Sequence, residues 1–118
     1  MKYLLLIYGE EGHLSESEMQ ACYVESSRIC EDLEKKGKFL GASPLQSVSL
    51  ATSVRVREGR RLVTDGPFAE TREQLGGYFL VEAADLDEAI EIAGTIPGAR
   101  WGTVEIRPVV EQPGLPKK

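Results

Sequence analysis

The residues best placed for chemistry lie in one short segment, residues 65–78, which reads DGPFAETREQLGGY. Asp65 follows a predicted strand and precedes Gly66 and Pro67, so its carboxylate can reach a cleft. There it would act as a general acid or base, tuned by partial burial between subunits. The structural alternative is an Asx turn, in which the Asp65 carboxylate accepts hydrogen bonds from the backbone amides that follow. Both interpretations stay open at this point.

Other titratable residues lie near Asp65 or in a separate loop. Glu70, Arg72 and Glu73 follow within one or two helical turns. As a site, Arg72 would hold a substrate carboxylate while Glu70 or Glu73 titrates; as structure, they form solvated ion pairs worth about 0–1 kcal/mol each. His13, the single histidine, lies in a Gly-rich loop. Because imidazole titrates near neutral pH, His13 is either a second proton carrier or an ordinary surface residue.

Aromatic residues could shape a binding site for a small molecule. Tyr8, Tyr23 and Tyr78 either line a cavity between the helices and the sheet or fill the core and a subunit interface. Trp101 is expected to be a packing anchor near the last strand. Gly76 and its glycine neighbour do not make a phosphate loop, because no GxGxxG or GKS pattern follows a strand.

Composition restricts the remaining chemistry. The chain has 118 residues, one His and two Cys, which excludes multi-histidine and multi-cysteine metal sites. No metal and no cofactor is therefore expected. The formal net charge of −5 disfavours binding to nucleic acid or to an acidic membrane surface.

The cysteines and the N-terminus predict a reducing compartment. Cys22 and Cys30 fall roughly 12 Å apart in one predicted helix, too far for a disulfide, and lack a basic setting for nucleophiles. The apolar run of residues 3–8 is too short for a secretory signal or a membrane span. These features predict a cytoplasmic protein without membrane contact.

Two segments, residues 3–8 and 78–81, are apolar on both faces and predict central strands. Helices are expected after two N-terminal caps. The first begins at the Ser15–Glu18 capping box and ends at Gly37, and the second follows Asp85 and ends at Pro97 and Gly98.

The middle of the chain predicts a hairpin. Residues 51–57 alternate apolar with polar side chains, Glu58-Gly59 is a turn signal, and residues 60–64 return. Residues 39–42 form at most a short edge strand, and residues 71–75 are expected to form one helical turn. A last strand over residues 103–109 alternates in the same way as the first hairpin strand.

This order of elements predicts a ferredoxin-like βαββαβ fold of the α+β class, with an antiparallel sheet, both helices on one face and an extra hairpin arm. Residues 1–110 form the domain, and residues 111–118 are a loose tail. The helices cover only one face of the sheet, whereas its central strands are apolar on both. A second subunit is the simplest way to cover the other apolar face of the sheet, so we expect a homodimer packed sheet to sheet.

The segment of residues 65–78 resembles the signature of the DGPF group within the YCII-related family. Residues 2–8, 52–57 and 102–108 are also similar to that group, so the resemblance spans nearly all of residues 1–110. It implies a dimeric α+β barrel shared with cofactor-free isomerases, dehalogenases and monooxygenases, without an established reaction. Members of the group often look like companions of extracytoplasmic-function sigma factors, which implies a regulatory role.

One position departs from the wider family. YCII-type proteins tend to carry a His on the first helix as partner for an Asp, whereas this chain has Ser26 there, eleven residues before Gly37. A His–Asp pair carried over from those relatives therefore lacks its histidine. Ser26 still belongs to the candidate binding residues, together with Pro67 and Phe68 of the signature.

Two functions are consistent with these residues. In the first, a pocket between the helices and the sheet binds a small organic molecule and performs cofactor-free acid–base chemistry of the isomerase or lyase kind, with Asp65 and His13 as catalytic candidates. The candidate binding residues are Tyr8, Tyr23, Ser26, Pro67, Phe68, Glu70, Arg72 and Tyr78. In the second, the chain is a non-catalytic regulatory module that binds a sigma factor. A concave pocket would favour the first, and an exposed apolar patch the second.

Overall fold

The computed structural model describes residues 1–116 and has the ferredoxin-like order that the sequence predicts. The strands and helices are β1 (Lys2–Gly9), α1 (Glu16–Lys35), β2 (Phe39–Pro44), β3 (Thr52–Arg57), β4 (Arg60–Asp65), β5 (Gln74–Glu82), α2 (Leu86–Thr95), α3 (Gly98–Trp101) and β6 (Thr103–Pro108). A single 3-10 turn, Val48–Leu50, lies between β2 and β3. None of the helices in this part of the chain is both long and apolar enough to cross a membrane.

The main sheet has four strands in the order β2-β5-β1-β6, and every neighbouring pair is antiparallel. Its two inner strands, β5 and β1, are the two segments with apolar residues on both faces. The prediction that they are central is confirmed, because inner strands are the ones that need cover on both sides.

The hydrophobic core lies between one face of this sheet and the two long helices. Leu5 and Val81, on the inner strands, are fully buried. Helix α1 contributes Leu33 to this core, and α2 contributes Ala89 and Ala93. Both long helices thus cover the same face, as predicted.

The opposite face of the sheet also carries apolar side chains on its two inner strands. Strand register sets Leu4 against Leu80 and Leu6 against Tyr78 across β1 and β5, and all four are half-buried. They lie outside the core cluster. We call this surface, defined by Leu4, Leu6, Tyr78 and Leu80, the open face.

Both ends of α1 follow the sequence prediction. The Ser15 side chain accepts a hydrogen bond from the Glu18 amide, and the Glu18 carboxylate accepts one from the Ser15 amide at 2.8 Å. These reciprocal bonds hold the pKa of Glu18 below its ordinary value, because they favour the charged form. At the other end, Gly37 has φ of 71°, the left-handed conformation in which glycine ends a helix without a steric penalty.

The start of α2 is tied to the sheet by Glu88, which accepts hydrogen bonds from the Lys38 ammonium and the Ala84 amide, both at 2.8 Å. These bonds lower the pKa of Glu88, with the Lys38 bond the largest cause. A carboxyl whose pKa is lowered by folding stabilises the folded state above its unfolded pKa, near 4.5, and loses that effect as the pH falls through the folded value.

We therefore expect Glu88→Gln to lower the melting temperature at pH 7, and the difference from wild type to disappear as the pH falls well below 4.5. Thermal unfolding followed by circular dichroism over this pH range measures the effect. Glu91→Gln changes an exposed carboxylate on the same helix and serves as the control. A Glu88→Gln difference that stays constant with pH would show that the carboxylate charge does not stabilise the fold.

The predicted hairpin forms, but it does not join the main sheet. Strands β3 and β4 make a separate two-stranded sheet, joined by Glu58 and Gly59 with φ of 53° and 74°. Two consecutive positive φ values are those of the tight turn that this dipeptide predicts. We call residues 52–65 the arm.

The alternating pattern of β3 predicts one apolar and one polar face, and the apolar face is not covered in the single chain. Val54, Val56 and Val63 share one face of the arm through the register of β3 with β4, and each is about 60% exposed. The segment expected to be at most a short edge strand forms β2, which does lie at an edge of the main sheet and extends to Pro44. The arm therefore has no core of its own in the single chain.

Two local predictions are wrong. Residues 71–75 do not form a helical turn, because β5 already begins at Gln74. The short helix α3 was not expected, since Pro97 and Gly98 normally end helices; here Pro97 precedes the first turn, where proline is tolerated. Residues 111–116 of the predicted tail contain no helix or strand, and Lys117 and Lys118 lie outside the described residues.

Candidate functional site

A cleft of about 820 Å³ opens between the N-terminal half of α1 and the adjoining end of the sheet. Most of its surface is apolar, as in binding sites for small organic molecules. Its helix side is formed by Met19, Cys22, Tyr23, Ser26, Ser27 and Cys30. Its sheet side and rim include Ile7, Tyr8, Ala42, Ser43, Tyr78, Phe79 and Trp101.

Glycines make up much of the sheet side of the cleft, where a side chain would have no room. A Cβ at Gly77 would come within 3.0 Å of the Ser43 carbonyl oxygen. A Cβ at Gly98 would collide with the Ile7 side chain, and one at Gly102 with the Tyr8 carbonyl. The close approach of these backbones leaves the space that forms the cleft.

The mouth of the cleft is held by two glutamates in the loop after β1. Glu11 accepts hydrogen bonds from the Ser47 hydroxyl at 2.7 Å and from the Val48 amide at 2.8 Å. Glu10 pairs with the Arg72 guanidinium at 2.7 Å. These contacts connect the loops that follow β1 and β2 to the segment before β5, so the rim is built from three separate stretches of the chain.

An ion pair fixes α1 relative to α3 on the other side. The Arg100 guanidinium donates two hydrogen bonds to the Glu25 carboxylate, at 2.8 and 3.1 Å. This pairing lowers the pKa of Glu25 and raises that of Arg100. Next to it, the ring centres of His13 and Trp101 lie 6.3 Å apart, and the planes of the two rings are tilted by 59°. Tilted aromatic pairs at this separation are favourable.

Five of the ten candidate residues line the cleft. They are Tyr8, His13, Tyr23, Ser26 and Tyr78. His13 is exposed at the rim, whereas Ser26 is half-buried on the inward side of α1. The position at which relatives tend to carry a histidine therefore faces the cleft, but in this chain it offers a hydroxyl.

The other five lie elsewhere in the single chain. Asp65, Pro67, Phe68, Glu70 and Arg72 are exposed and are not part of the cleft wall. Asp65 is the last residue of the arm, opposite Thr52. Pro67 borders a smaller hollow of about 270 Å³. The sequence segment expected to carry the chemistry is thus separated from the cleft, except for its C-terminal part, which enters β5.

The DGPF turn is held by its neighbours in β3. The Gly66 amide donates to the Ala51 carbonyl at 2.8 Å, and the Ser53 hydroxyl donates to the Gly66 carbonyl at 2.8 Å. The Arg55 guanidinium lies 4.8 Å from the centre of the Phe68 ring, in cation–π geometry. Within residues 1–116, these contacts hold the turn, rather than the Asx bonds expected from Asp65.

Sequence reasoning missed several residues of the cleft. Trp101, expected to be a packing anchor, is 44% exposed and forms part of the cleft wall. Cys22 and Cys30 are free thiols and also line it; burial raises the pKa of the Cys30 thiol, which disfavours the nucleophilic thiolate. The one sequence pattern that could have indicated the position of the cleft was the concentration of glycines near the ends of β1 and β5.

Metal binding has no candidate site in the described chain. Within residues 1–116, no three His, Cys, Asp or Glu side chains cluster as metal ligands would. His13 and the two thiols are placed around the cleft without acidic partners arranged for coordination. The polar groups of the cleft are hydroxyls, amides, one imidazole and the carboxylates of Glu10 and Glu11 at the rim, which suit hydrogen bonding to an organic ligand.

The four-stranded antiparallel sheet, the two helices on one face and the cleft beneath α1 define a ferredoxin-like α+β protein with a cleft between its layers. The family model of the YCII-related domain matches residues 1–113, and the chain belongs to this family. The chain is also 34% identical to an uncharacterized protein of Rhizobium meliloti (strain 1021), over 92% of either chain.

Proposed function

We propose that this YCII-related protein binds a small organic molecule in the cleft between α1 and the sheet. The observation that carries the proposal is the cleft itself: a preformed, largely apolar space of about 820 Å³ with a few polar groups around it. Cavities of roughly 300–1,000 Å³ with this composition are typical of small-molecule sites.

The chemistry proposed for this site is cofactor-free proton transfer of the isomerase or lyase kind. His13 supplies the imidazole at the rim, the side-chain type that most often acts as a general acid or base, and the hydroxyls of Tyr23 and Ser26 can orient a ligand. Asp65 is too exposed and too remote to share this cleft within one chain. Its candidate role as acid or base therefore requires a second subunit that brings it to the ligand.

Ligand binding is tested by filling the cleft. Ser26→Trp places a large ring inside the space, whereas Arg28→Trp puts the same ring on the exposed side of the same helix. We expect compounds from a small-molecule thermal-shift screen to stabilise wild type and Arg28→Trp, and to lose most of this effect with Ser26→Trp. Equal shifts in all three proteins would place the ligand site outside the cleft.

The acid–base part is tested separately with the same compounds. His13→Gln keeps hydrogen-bonding capacity but removes the group proposed to transfer the proton, and Asp65→Asn does the same at the turn. If proton transfer occurs, proton exchange into a bound ligand, followed by NMR in D₂O, should fall at least about tenfold in His13→Gln. Unchanged exchange in both variants would leave a binding protein without this chemistry.

We also propose that the protein is a homodimer in which the open faces of two sheets pack together. The chain exposes 8783 Å², roughly 2,400 Å² more than the surface typical of a monomer of its mass. Its radius of gyration is 16.0 Å, against about 13.5 Å for a compact chain of this length. A substantial dimer interface buries roughly this excess.

The arm supports an additional contact with the second copy. An isolated hairpin is marginally stable in water, and this one exposes apolar side chains on one face. It also carries Arg55, Arg57, Arg60 and Arg61 in a chain whose formal net charge is −5, so it complements the acidic remainder of a partner.

The exposed apolar residues of the arm are also the observation that favours the regulatory alternative, in which a protein such as an extracytoplasmic-function sigma factor binds there. Membership of the DGPF group and a cytoplasmic location stay predictions. If the regulatory alternative is right, the arm should remain exposed in the homodimer. Hydrogen exchange of the arm amides distinguishes the two, because slow exchange in the purified protein assigns the arm to the homodimer.

A further inference from the structure

We propose that the cleft selects uncharged or cationic molecules with a bulky hydrocarbon part, and rejects carboxylates and phosphates of the same shape. This inference rests on the proposed binding function and specifies its ligand class. It follows from the side chains that line the cleft and from the partners that the nearby cations already have.

The charged side chains of the cleft wall give an anion no partner. Among the described residues that line the cleft, the carboxylates are Glu10 and Glu11, and the imidazole is His13. Neither Lys nor Arg is among these lining residues. A buried anion without a cation or several donors is strongly disfavoured relative to water. The two glutamates add like-charge repulsion to this desolvation cost.

The arginines nearest to the cleft are already paired. Arg72 binds Glu10 at 2.7 Å on the rim, and Arg100 makes its two hydrogen bonds to Glu25 between α1 and α3. An incoming carboxylate would have to displace a carboxylate of the protein from either guanidinium. Exchange of one anion for another yields little net attraction.

The helix terminus beside the cleft is also occupied. Free amides at the N-terminus of a helix commonly bind anions. At α1, however, Ser15 and Glu18 form a complete capping box, and Glu16 adds a second carboxylate to the first turn. The first turn of α1 therefore already carries two carboxylates, and its Glu18 amide already has a partner, which disfavours an added anion there.

The aromatic side chains tolerate the opposite charge. Tyr23 and Trp101 line the cleft and are 40% and 44% exposed, so their ring faces are available to a ligand. Aromatic faces attract ammonium groups, and Glu11 lies on the same rim. An uncharged ring or cage fits the apolar surface, and an attached ammonium is accepted where a carboxylate is not.

Three probes of the same cage test the selection: 1-adamantanemethanol, 1-adamantanemethylamine and 1-adamantanecarboxylate. They differ in charge, and none absorbs at the excitation wavelength of tryptophan. Trp101 is the only tryptophan of the chain, so its fluorescence reports on the cleft. At pH 8, where imidazole is ordinarily neutral, we expect the alcohol and the amine to bind at least about tenfold more tightly than the carboxylate.

A positive charge placed on the rim should weaken the discrimination against the carboxylate. Gln46→Lys introduces an ammonium among the lining residues, whereas Gln112→Lys makes the same change at an exposed position outside the cleft. We expect carboxylate affinity to rise at least about fivefold in Gln46→Lys and to stay unchanged in Gln112→Lys.

The outcomes separate this inference from the function on which it rests. Carboxylate binding as tight as that of the alcohol, with wild-type Trp101 responding to both, would overturn the selection and leave the binding cleft in place. Absence of binding by all three probes, combined with equal thermal shifts in wild type and Ser26→Trp, would overturn the binding function and the selection together. Tight binding of the alcohol and amine alone supports both.

Discussion

Replacement of Gly102 by alanine is expected to lower the melting temperature by roughly 15 °C, which corresponds to a loss of about 3 kcal/mol in a domain of this size. Gly102 joins α3 to β6 beside the end of β1. A Cβ at this position would collide with the Tyr8 carbonyl and crowd Gly9. Because the neighbouring atoms belong to the backbone, they cannot rotate away as a side chain would, and β1 and β6 must separate.

Gly94→Ala provides the matched control. Gly94 lies in α2, and a Cβ there would meet nothing within 4 Å. Alanine in a helix interior is favoured over glycine by roughly 0.5–1 kcal/mol, so this variant should be slightly more stable than wild type. Thermal and urea unfolding followed by circular dichroism measure both. If Gly102→Ala unfolds at the wild-type temperature, the backbones of β1 and α3 do not approach as closely as described.

The second large effect is expected at the open face. Leu6→Arg should convert the proposed dimer into a monomer at micromolar concentration, because the interface would have to bury an unpaired guanidinium. The dissociation constant is expected to rise at least about 30-fold, or about 2 kcal/mol. Light scattering coupled to size exclusion should give twice the 13.0 kDa chain mass for wild type and a value approaching the chain mass for the variant.

Two further variants keep this prediction testable. Leu80→Arg changes the residue on the adjacent strand of the same face and should have a similar effect. Leu86→Arg changes a leucine that is 51% exposed on α2, on the helix side, and should leave the dimer intact. Circular dichroism confirms that each variant is folded. A monomeric wild type, or dimers that persist in both open-face variants, would rule out packing through this surface.

The fold could be predicted wherever local pattern and physical requirement coincide. Residues 3–8 and 78–81 are apolar on both faces, and only the inner strands of a sheet need that. Ser15 and Gly37 define the ends of α1, because capping oxygens and positive φ are local properties. The turn at Glu58-Gly59 could be predicted for the same reason, because its positive φ values are also a local property.

The arm shows where this reasoning stops. The alternation of Val54 and Val56 indicates a face that requires cover, but it cannot identify the chain that supplies it. A half-buried strand within a sheet and an arm that packs on another subunit give the same pattern. The shorter segment Phe39–Pro44 occupies the sheet edge, although its glycine and proline make it a weak strand in isolation.

The candidate site was only half predictable for a similar reason. Tyr23 and Ser26 follow from their place on the inner side of α1, and His13 from its loop. Trp101 and Glu11 reach the same cleft from distant parts of the sequence, and no spacing relates them. Asp65 was favoured because it follows a predicted strand, but that strand belongs to the arm, and Asp65 is not among the residues that line the cleft.

The glycines that line the cleft, among them Gly77, Gly98 and Gly102, have a consequence for the thermodynamics of binding. A ligand that contacts Gly77, Gly98 and Gly102 meets backbone, which has no side-chain rotamers to freeze. Each immobilised side chain ordinarily costs about 0.5–1.5 kcal/mol of entropy in association. A ligand bound to this side of the cleft, as we propose, would avoid much of that loss, so even a small, rigid ligand would use its contact surface efficiently.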